Sequence, residues 1–209
     1  MIEQGSPEWF TARIGKVTAS RISDVVAKTK TGWGASRANY MAELVAEILT
    51  GVKYEGYVNA AMQFGIDTEP QARDAYAFYT DAEVDPAGFF QHPTIHESGA
   101  SPDGVIGKEG LVEIKCPNTA THIETLLTGT IDKKYVLQMQ WQMACTARKW
   151  CDFCSFDPRM PVSMQIFISR VHRDDKCIGD LEKDVIEFLK ERDEKLTALR
   201  QKYDIAEAA

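Results

Sequence analysis

Asp103, Glu113 and Lys115 are residues whose types and spacing could do chemistry together. They stand in SPDGVIGKEGLVEIKCP, residues 101–117. In LVEIKC the side chains alternate, so Leu111, Glu113 and Lys115 share one face and Val112, Ile114 and Cys116 share the other. The second face is expected in the core, and the first presents a carboxylate and an ammonium. Asp103 lies ten positions before Glu113, and a turn around Gly107–Gly110 would fold its strand back onto the next. Two close carboxylates repel unless a positive charge lies between them. Mg²⁺ suits such a pair, because it takes hard oxygen ligands and leaves water and phosphate to complete its shell. Asp103, Glu113 and the Ile114 carbonyl are the expected ligands. A divalent cation makes a water in its shell more acidic, hence a better nucleophile. A lysine of ordinary pKa is a poor base at neutral pH, so Lys115 is read first as an electrostatic and positioning group. Alone, a D…ExK pattern is short, and a solvated strand face with a Glu–Lys pair would explain it.

The elements that must position these residues read in order along the chain. SPEWFTARIG has Ser6 as N-cap and Pro7 at the first helical position. TASRISDVVAK reads as a helix from Thr18 with Ile22, Val25 and Val26 on one face. KTKTGWG, residues 28–34, reads as an exposed loop. A helix over 35–50 turns Met41, Leu44, Val45, Ile48 and Leu49 inward, and another spans 58–80. Residues 82–93 look extended. GASPDGVIG and GLVEIKCP read as two strands, then helices follow Pro117 and cover 132–147. KWCDFCSFD and PVSMQIFISRVH are strands joined at PRMP, and a last helix covers 179–203 with Leu181, Val185, Phe188 and Leu189 as its stripe. Helices, a block of strands and more helices imply an α/β fold, a sheet covered by helices, in one domain over 1–209.

Composition excludes some classes. No run of about 18 apolar residues is present, so no transmembrane helix is expected. The opening MIEQGSPEWF lacks a basic segment followed by an apolar one, so an intracellular protein is expected. A net charge of −7 argues against a protein that simply coats nucleic acid. Cys151 and Cys154 form a CxxC, but on a strand they point to opposite faces, so buried free thiols are the better reading than a metal site. His92 and His96 flank Pro93 in an extended segment and are read as surface or supporting residues rather than a zinc pair.

Aspartate, hydrophobic strand and ExK, with a proline in SPDG, resemble the PD-(D/E)xK nucleases. Four more stretches resemble the phage lambda-type alkaline exonucleases of that superfamily: WFTARIGKVTAS (9–20), FGIDTEPQAR (64–73), YVLQMQWQM (135–143) and FCSFDPRM (153–160). The resemblance runs through most of the chain in the right order. It implies a restriction-endonuclease-like core, a central mixed β-sheet flanked by α-helices. It implies a Mg²⁺-dependent enzyme, with Mn²⁺ substituting, that degrades one strand of linear duplex DNA from its 5′ end and leaves a 3′ tail. It also implies a ring-shaped homotrimer and a single-strand annealing protein as partner, in the cytoplasm of a bacterial host.

By the same resemblance Glu69 is a further acid near the metal; without it, Glu69 reads as a solvated helix acid. Arg13, Ser20, Ser101 and Gln138 are implied to bind the 5′-terminal phosphate. An arginine forks onto phosphate oxygens, and Ser20 sits in the first turn of an expected helix, where free N–H groups favour an anion. The plainer readings are a surface ion pair for Arg13, a cap for Ser20, a turn residue for Ser101 and a polar rim for Gln138. Tyr135 and Gln140 are weaker candidates. Lys28 and Lys30 could follow the duplex backbone with Trp33 stacking, and a solvated loop is an equal reading. Met62 could wedge into the duplex end, although a core methionine is the stronger reading. Two rivals stay open: a structure-specific or restriction-like endonuclease, which would cut closed circles, and an inactive DNA-binding scaffold, which would leave DNA intact.

Overall fold

The computed structural model describes residues 4–54, 56 and 59–205. Ser6 caps the first helix, α1 (Pro7–Arg13), by accepting from the Trp9 N–H. Gly15 then turns the chain at φ +68°, and a Cβ there would meet Ile48 Cγ1 at 2.5 Å. Its N–H donates to Glu47 Oε2 and its carbonyl accepts from Arg192 Nη1, each at 2.8 Å. Both partners are buried, so a glycine that only this backbone shape requires is latched to two distant helices.

The helix expected from Thr18 is instead a strand, β1 (Val17–Thr18), a 3₁₀ turn at Ala19–Arg21 and a short helix, α2 (Ile22–Val25). The β-branched pair is drawn into a sheet with a later strand. Thr18 makes no side-chain cap, and Ser20 lies in a three-residue turn rather than a full helical turn. The 28–34 loop is a hairpin of β2 (Lys28–Thr29) and β3 (Gly32–Trp33). In α3 (Ala35–Thr50) Met41, Leu44 and Val45 face inward, but Leu49 is exposed. Its last buried position belongs to Glu47, which also accepts from the Tyr54 N–H and pairs with Lys53.

Asn59 caps α4 (Ala60–Thr80); the expected start at Val58 lies outside the described residues. Next come β4 (Phe90–Gln91), β5 (Ser98–Ala100), β6 (Gly104–Ile106), β7 (Gly110–Lys115), α5 (Thr119–Thr128), α6 (Lys133–Thr146), β8 (Trp150–Phe156), β9 (Ile166–His172) and α7 (Asp175–Tyr203). The strand expected over 99–107 is therefore two strands in two sheets. Ser98–Ala100 lies between β1 and β4, and Gly104–Ile106 edges a four-stranded sheet ordered β6-β7-β8-β9. Asp103 sits at the crossing. That larger sheet is mixed: β7 runs parallel to β8 and antiparallel to β6, and β9 is antiparallel to β8.

β7 is covered on both faces. Val112 and Ile114 pack with Ala72 and Tyr76 of α4, and Leu111 packs with Met139 and Met143 of α6. The CxxC splits the same way, Cys151 among the α6 group and Cys154 among the α4 group. Tyr76 fixes α4 to the sheet by donating to Asp152 Oδ2 at 2.7 Å, and Arg170 donates to both oxygens of Asp152. His92 is not a surface residue: it is 1% exposed, stacks on Trp141 and lies 3.3 Å from Glu182. Among the described residues no helix is long and apolar enough to cross a membrane.

At the end of β8, buried Asp157 accepts from the Arg159 N–H at 3.0 Å and from its Nε at 2.7 Å. Burial opposes ionisation, but the Arg159 hydrogen bonds outweigh it and hold the carboxyl at about 2. The folded pKa is thus below the unfolded one, so this contribution is present above about pH 4 and is lost as pH falls toward 2. Asp157→Asn is expected to cost about 1–2 kcal/mol at pH 7, with Arg159 half-exposed, and roughly half that at pH 3. Urea unfolding of both proteins at the two pH values measures the difference.

Candidate active site

The sheet brings Asp103, Glu113 and Lys115 together at one end of β6 and β7. Asp103 precedes β6, and its Oδ2 accepts from the Ile114 N–H at 2.6 Å. Gly104 makes this approach possible, since a Cβ there would meet Val84 Cγ1 at 2.4 Å and Val112 Cγ1 at 3.0 Å. Lys115 Nζ pairs with Glu113 Oε1.

Glu113 differs from the expectation of an open polar face. It is 0% exposed. The cause is α6, which lays two glutamines rather than two apolar residues over it. Gln138 Nε2 donates to Glu113 Oε1 at 2.6 Å, and Gln142 Nε2 donates to Oε2. A buried carboxylate needs such partners, and these fix its orientation. Gln142 was missed in the sequence, although its position four residues after Gln138 places both on one helical face.

Three acids crowd this end of the sheet. Burial and the Glu113 charge push the Asp103 carboxyl well above its ordinary value, against the pull of Lys115. Burial also raises Glu69, opposed by Arg73 and Lys115; Arg73 Nη2 lies 2.6 Å from its Oε1. Lys115 loses some proton affinity to burial, but Glu113 and Asp103 more than offset this, and its pKa is raised. Next to it, burial and the Glu69 and Asp103 charges push the Cys116 thiol up to about 12, so it stays a thiol.

This donor set fits a divalent cation. Mutual repulsion among Asp103, Glu113 and Glu69 is what an added positive charge would relieve, and Ile114 lines a cavity together with Glu69 and Lys115. Among the described residues no three His, Cys, Asp or Glu side chains form a closed ligand group. A hard cation held by two carboxylates and a carbonyl, with water and phosphate for the rest, needs none.

The other candidates fall into two groups. Ser20, Met62, Glu69, Ile114, Lys115 and Gln138 line one cavity of about 650 Å³. Met62 is 55% exposed there, which excludes a core placement. Arg13 and Ser101 meet elsewhere: Ser101 Oγ accepts from Arg13 Nη1 at 3.2 Å and from Trp9 Nε1 at 2.9 Å. Arg13 stacks over Trp9, its Nε has no partner, and burial lowers its pKa to about 10. Gln138 is spent on Glu113 through its Nε2. Gln140 lies on the other side of α6, donating to the His172 carbonyl and accepting from the Asp174 N–H. On the hairpin, Trp33 is held by Lys28 at 4.7 Å and Arg37 at 4.0 Å from its ring, and Lys30 is exposed.

A mixed sheet flanked by helices, with Asp, Glu and Lys converging at its strand ends, is the restriction-endonuclease-like architecture of nucleases. The model of the YqaJ-like viral recombinase domain matches residues 8–149, and the chain belongs to that family. It is similar to the alkaline exonuclease LHK-Exo from Laribacter hongkongensis, with 52% identity, 94% of this chain and 97% of that one covered, and a TM-score of 0.88. The same protein in complex with dAMP matches equally, at 52% identity and a TM-score of 0.88 over the same 94% and 97% of the two chains. A phage-related exonuclease from Haemophilus somnus 129PT shares the fold, at 16% identity and a TM-score of 0.70, with 88% of this chain and 96% of that one covered. No curated protein matches.

Proposed function

We propose that this protein is a Mg²⁺-dependent 5′-to-3′ exonuclease of linear duplex DNA. It releases 5′-mononucleotides and leaves a 3′ tail for recombination by strand annealing. The observation that carries this reading is Glu113, a fully buried carboxylate held by Gln138 and Gln142 and turned toward Lys115 and Asp103. A fold gains little by burying a charge in this way, and phosphodiester hydrolysis gives the charge a use.

Asp103, Glu113 and the Ile114 carbonyl would hold the cation, with Glu69 reaching it through water. When bound, the cation supplies positive charge to the scissile phosphate and acidifies a water. Lys115, protonated beside two acids, steadies the charge that develops on phosphate oxygens. Arg13 with Ser101 receives the 5′-terminal phosphate, joined by Ser20 as the strand end enters, and Gln138 reaches it only by releasing the Glu113 carboxylate. Met62, exposed at the cavity rim, parts the end of the duplex, and Lys28, Lys30, Trp33 and Tyr135 line the approach. A homotrimeric ring enclosing DNA reconciles a net charge of −7 with a nucleic-acid substrate, because enclosure needs less Coulombic grip than an open groove. The dAMP in the crystals of the 52% identical relative is a mononucleotide, the product class expected here. The partner is a single-strand annealing protein in the bacterial cytoplasm.

The test uses linear duplex with 5′-phosphate or 5′-hydroxyl ends and closed circular DNA, with Mg²⁺, Mn²⁺ or EDTA. The expected result is mononucleotide release only with metal, fastest from the phosphorylated end, with circles intact. Cut circles would make it an endonuclease, and uncut DNA in both metals would leave a binding scaffold.

A further inference from the structure

A second cavity, of about 670 Å³, lies between α5 and the first turn of α6. It joins the catalytic cavity, since Lys115, Thr121, Lys134 and Tyr135 line both. Its size is that of a pocket for a small organic group.

The polar groups of this cavity have a common sense. His122 Nε2 lies 2.9 Å from the Met164 carbonyl. A carbonyl only accepts, so Nε2 carries the hydrogen. In the neutral ring Nδ1 then accepts from Ser155 Oγ, 2.8 Å away. With its hydrogen committed, the Ser155 hydroxyl offers the cavity lone pairs alone. The Thr125 and Thr128 hydroxyls are likewise committed, donating to the Thr121 and Glu124 carbonyls at 3.0 and 2.8 Å. Glu124 and Asp132 line this cavity and not the catalytic one. Asp132 is occupied as the cap of α6, accepting from the Lys134 N–H at 2.9 Å with Lys134 Nζ 3.5 Å from its other oxygen, so Glu124 is the acid left to a ligand. The part away from the catalytic residues is thus a wall of acceptors beside the stacked rings of Tyr135 and Phe153, 5.7 Å apart. The cations Lys115 and Lys134 sit where the two cavities meet, 5.3 and 4.8 Å from the Tyr135 ring.

Acceptors and carboxylates repel a phosphate and welcome a flat neutral group that brings N–H donors. We propose that this cavity receives the base of the 5′-terminal nucleotide while the phosphates stay on the catalytic side of Lys115 and Lys134; the proposal rests on the exonuclease reading above. The base lies against Tyr135 and Phe153 and gives its N–H groups to Ser155 and Glu124. Withdrawing the terminal base from its pair keeps the nucleotide to be cut apart from the strand that remains.

Single-turnover cleavage tests this on two 5′-phosphorylated duplexes, one ending in deoxyadenosine and one in an abasic residue. The wild-type protein is expected to release the deoxyadenosine nucleotide about tenfold faster, the scale of one base–aromatic contact. Thr125→Trp, which fills the cavity, should bring the ratio near one. Thr128→Trp at the outer lip serves the same purpose, and thermal melting establishes which variants are folded. A wild-type ratio near one, or a ratio that folded filling variants leave intact, overturns the proposal. Wild-type protein that cleaves neither end overturns the exonuclease reading itself, and the role of the cavity with it.

Discussion

Glu113→Gln is expected to slow the degradation of linear duplex DNA by about 10³-fold or more, the scale of several kcal/mol of metal-borne charge stabilisation. The same change should leave the melting temperature within a few degrees of wild type. The two readouts separate because the substitution keeps shape and removes charge. Gln138 and Gln142 now donate to the carboxylate; turning one amide over would let it accept from the new side chain instead. Lys115 is 27% exposed and still has Asp103 nearby, so no buried cation is stranded. What disappears is one of the two carboxylates able to face a divalent cation. Rates on 5′-labelled duplex in Mg²⁺, set beside thermal unfolding of the same samples, decide it. A variant that keeps a tenth of the activity would sink the assignment of Glu113 to the metal. One that unfolds would make Glu113 a structural anchor first.

Much of this site could be read along the chain because its parts are local. The period of two in LVEIKC and the turn at Gly107–Gly110 suffice to place Asp103 beside β7. Helix caps are equally local, and Ser6 behaves as its spacing implies. The helix stripes Met41, Leu44, Val45 and Leu181, Val185, Phe188 follow from period alone. The resemblance to exonucleases extended this to Glu69, which as a helix acid beside Pro70 carries no signal of its own.

The remainder depended on contacts between distant segments. Glu47 reads as one more solvated acid on α3, and only the fold shows it holding the Gly15 N–H. Arg192 reads as part of a charged C-terminal helix, yet it is 1% exposed and bonds the Gly15 carbonyl and Glu97. The two strands within 98–106 read as one because both sheets ask for the same extended backbone; which sheet each joins is a matter of partners. Glu113 itself was placed on the right face and given the wrong environment. Alternation separates two faces but does not say that α6 will bring amides to one of them.

Lys115→Met and Lys115→Arg together should reveal what the lysine does. A positioned charge at a transition state is worth about 10²–10³-fold in rate, and Lys115→Met is expected to lose that much. If Lys115 acts as an ammonium, as its raised proton affinity between Glu113 and Asp103 implies, then arginine supplies the charge and should recover at least tenfold over methionine. If Lys115 takes a proton from water, arginine cannot replace it, because a guanidinium does not deprotonate in a protein; both variants would then be equally slow. Arginine is larger, and it meets Tyr135 and Lys134 near the mouth of the cavity. Affinity for uncleaved duplex in Ca²⁺ therefore accompanies the rates, so that a steric loss of binding is not mistaken for a loss of chemistry. Equal binding with a faster arginine variant assigns Lys115 to electrostatic stabilisation, and equal binding with equally slow variants assigns it to proton transfer.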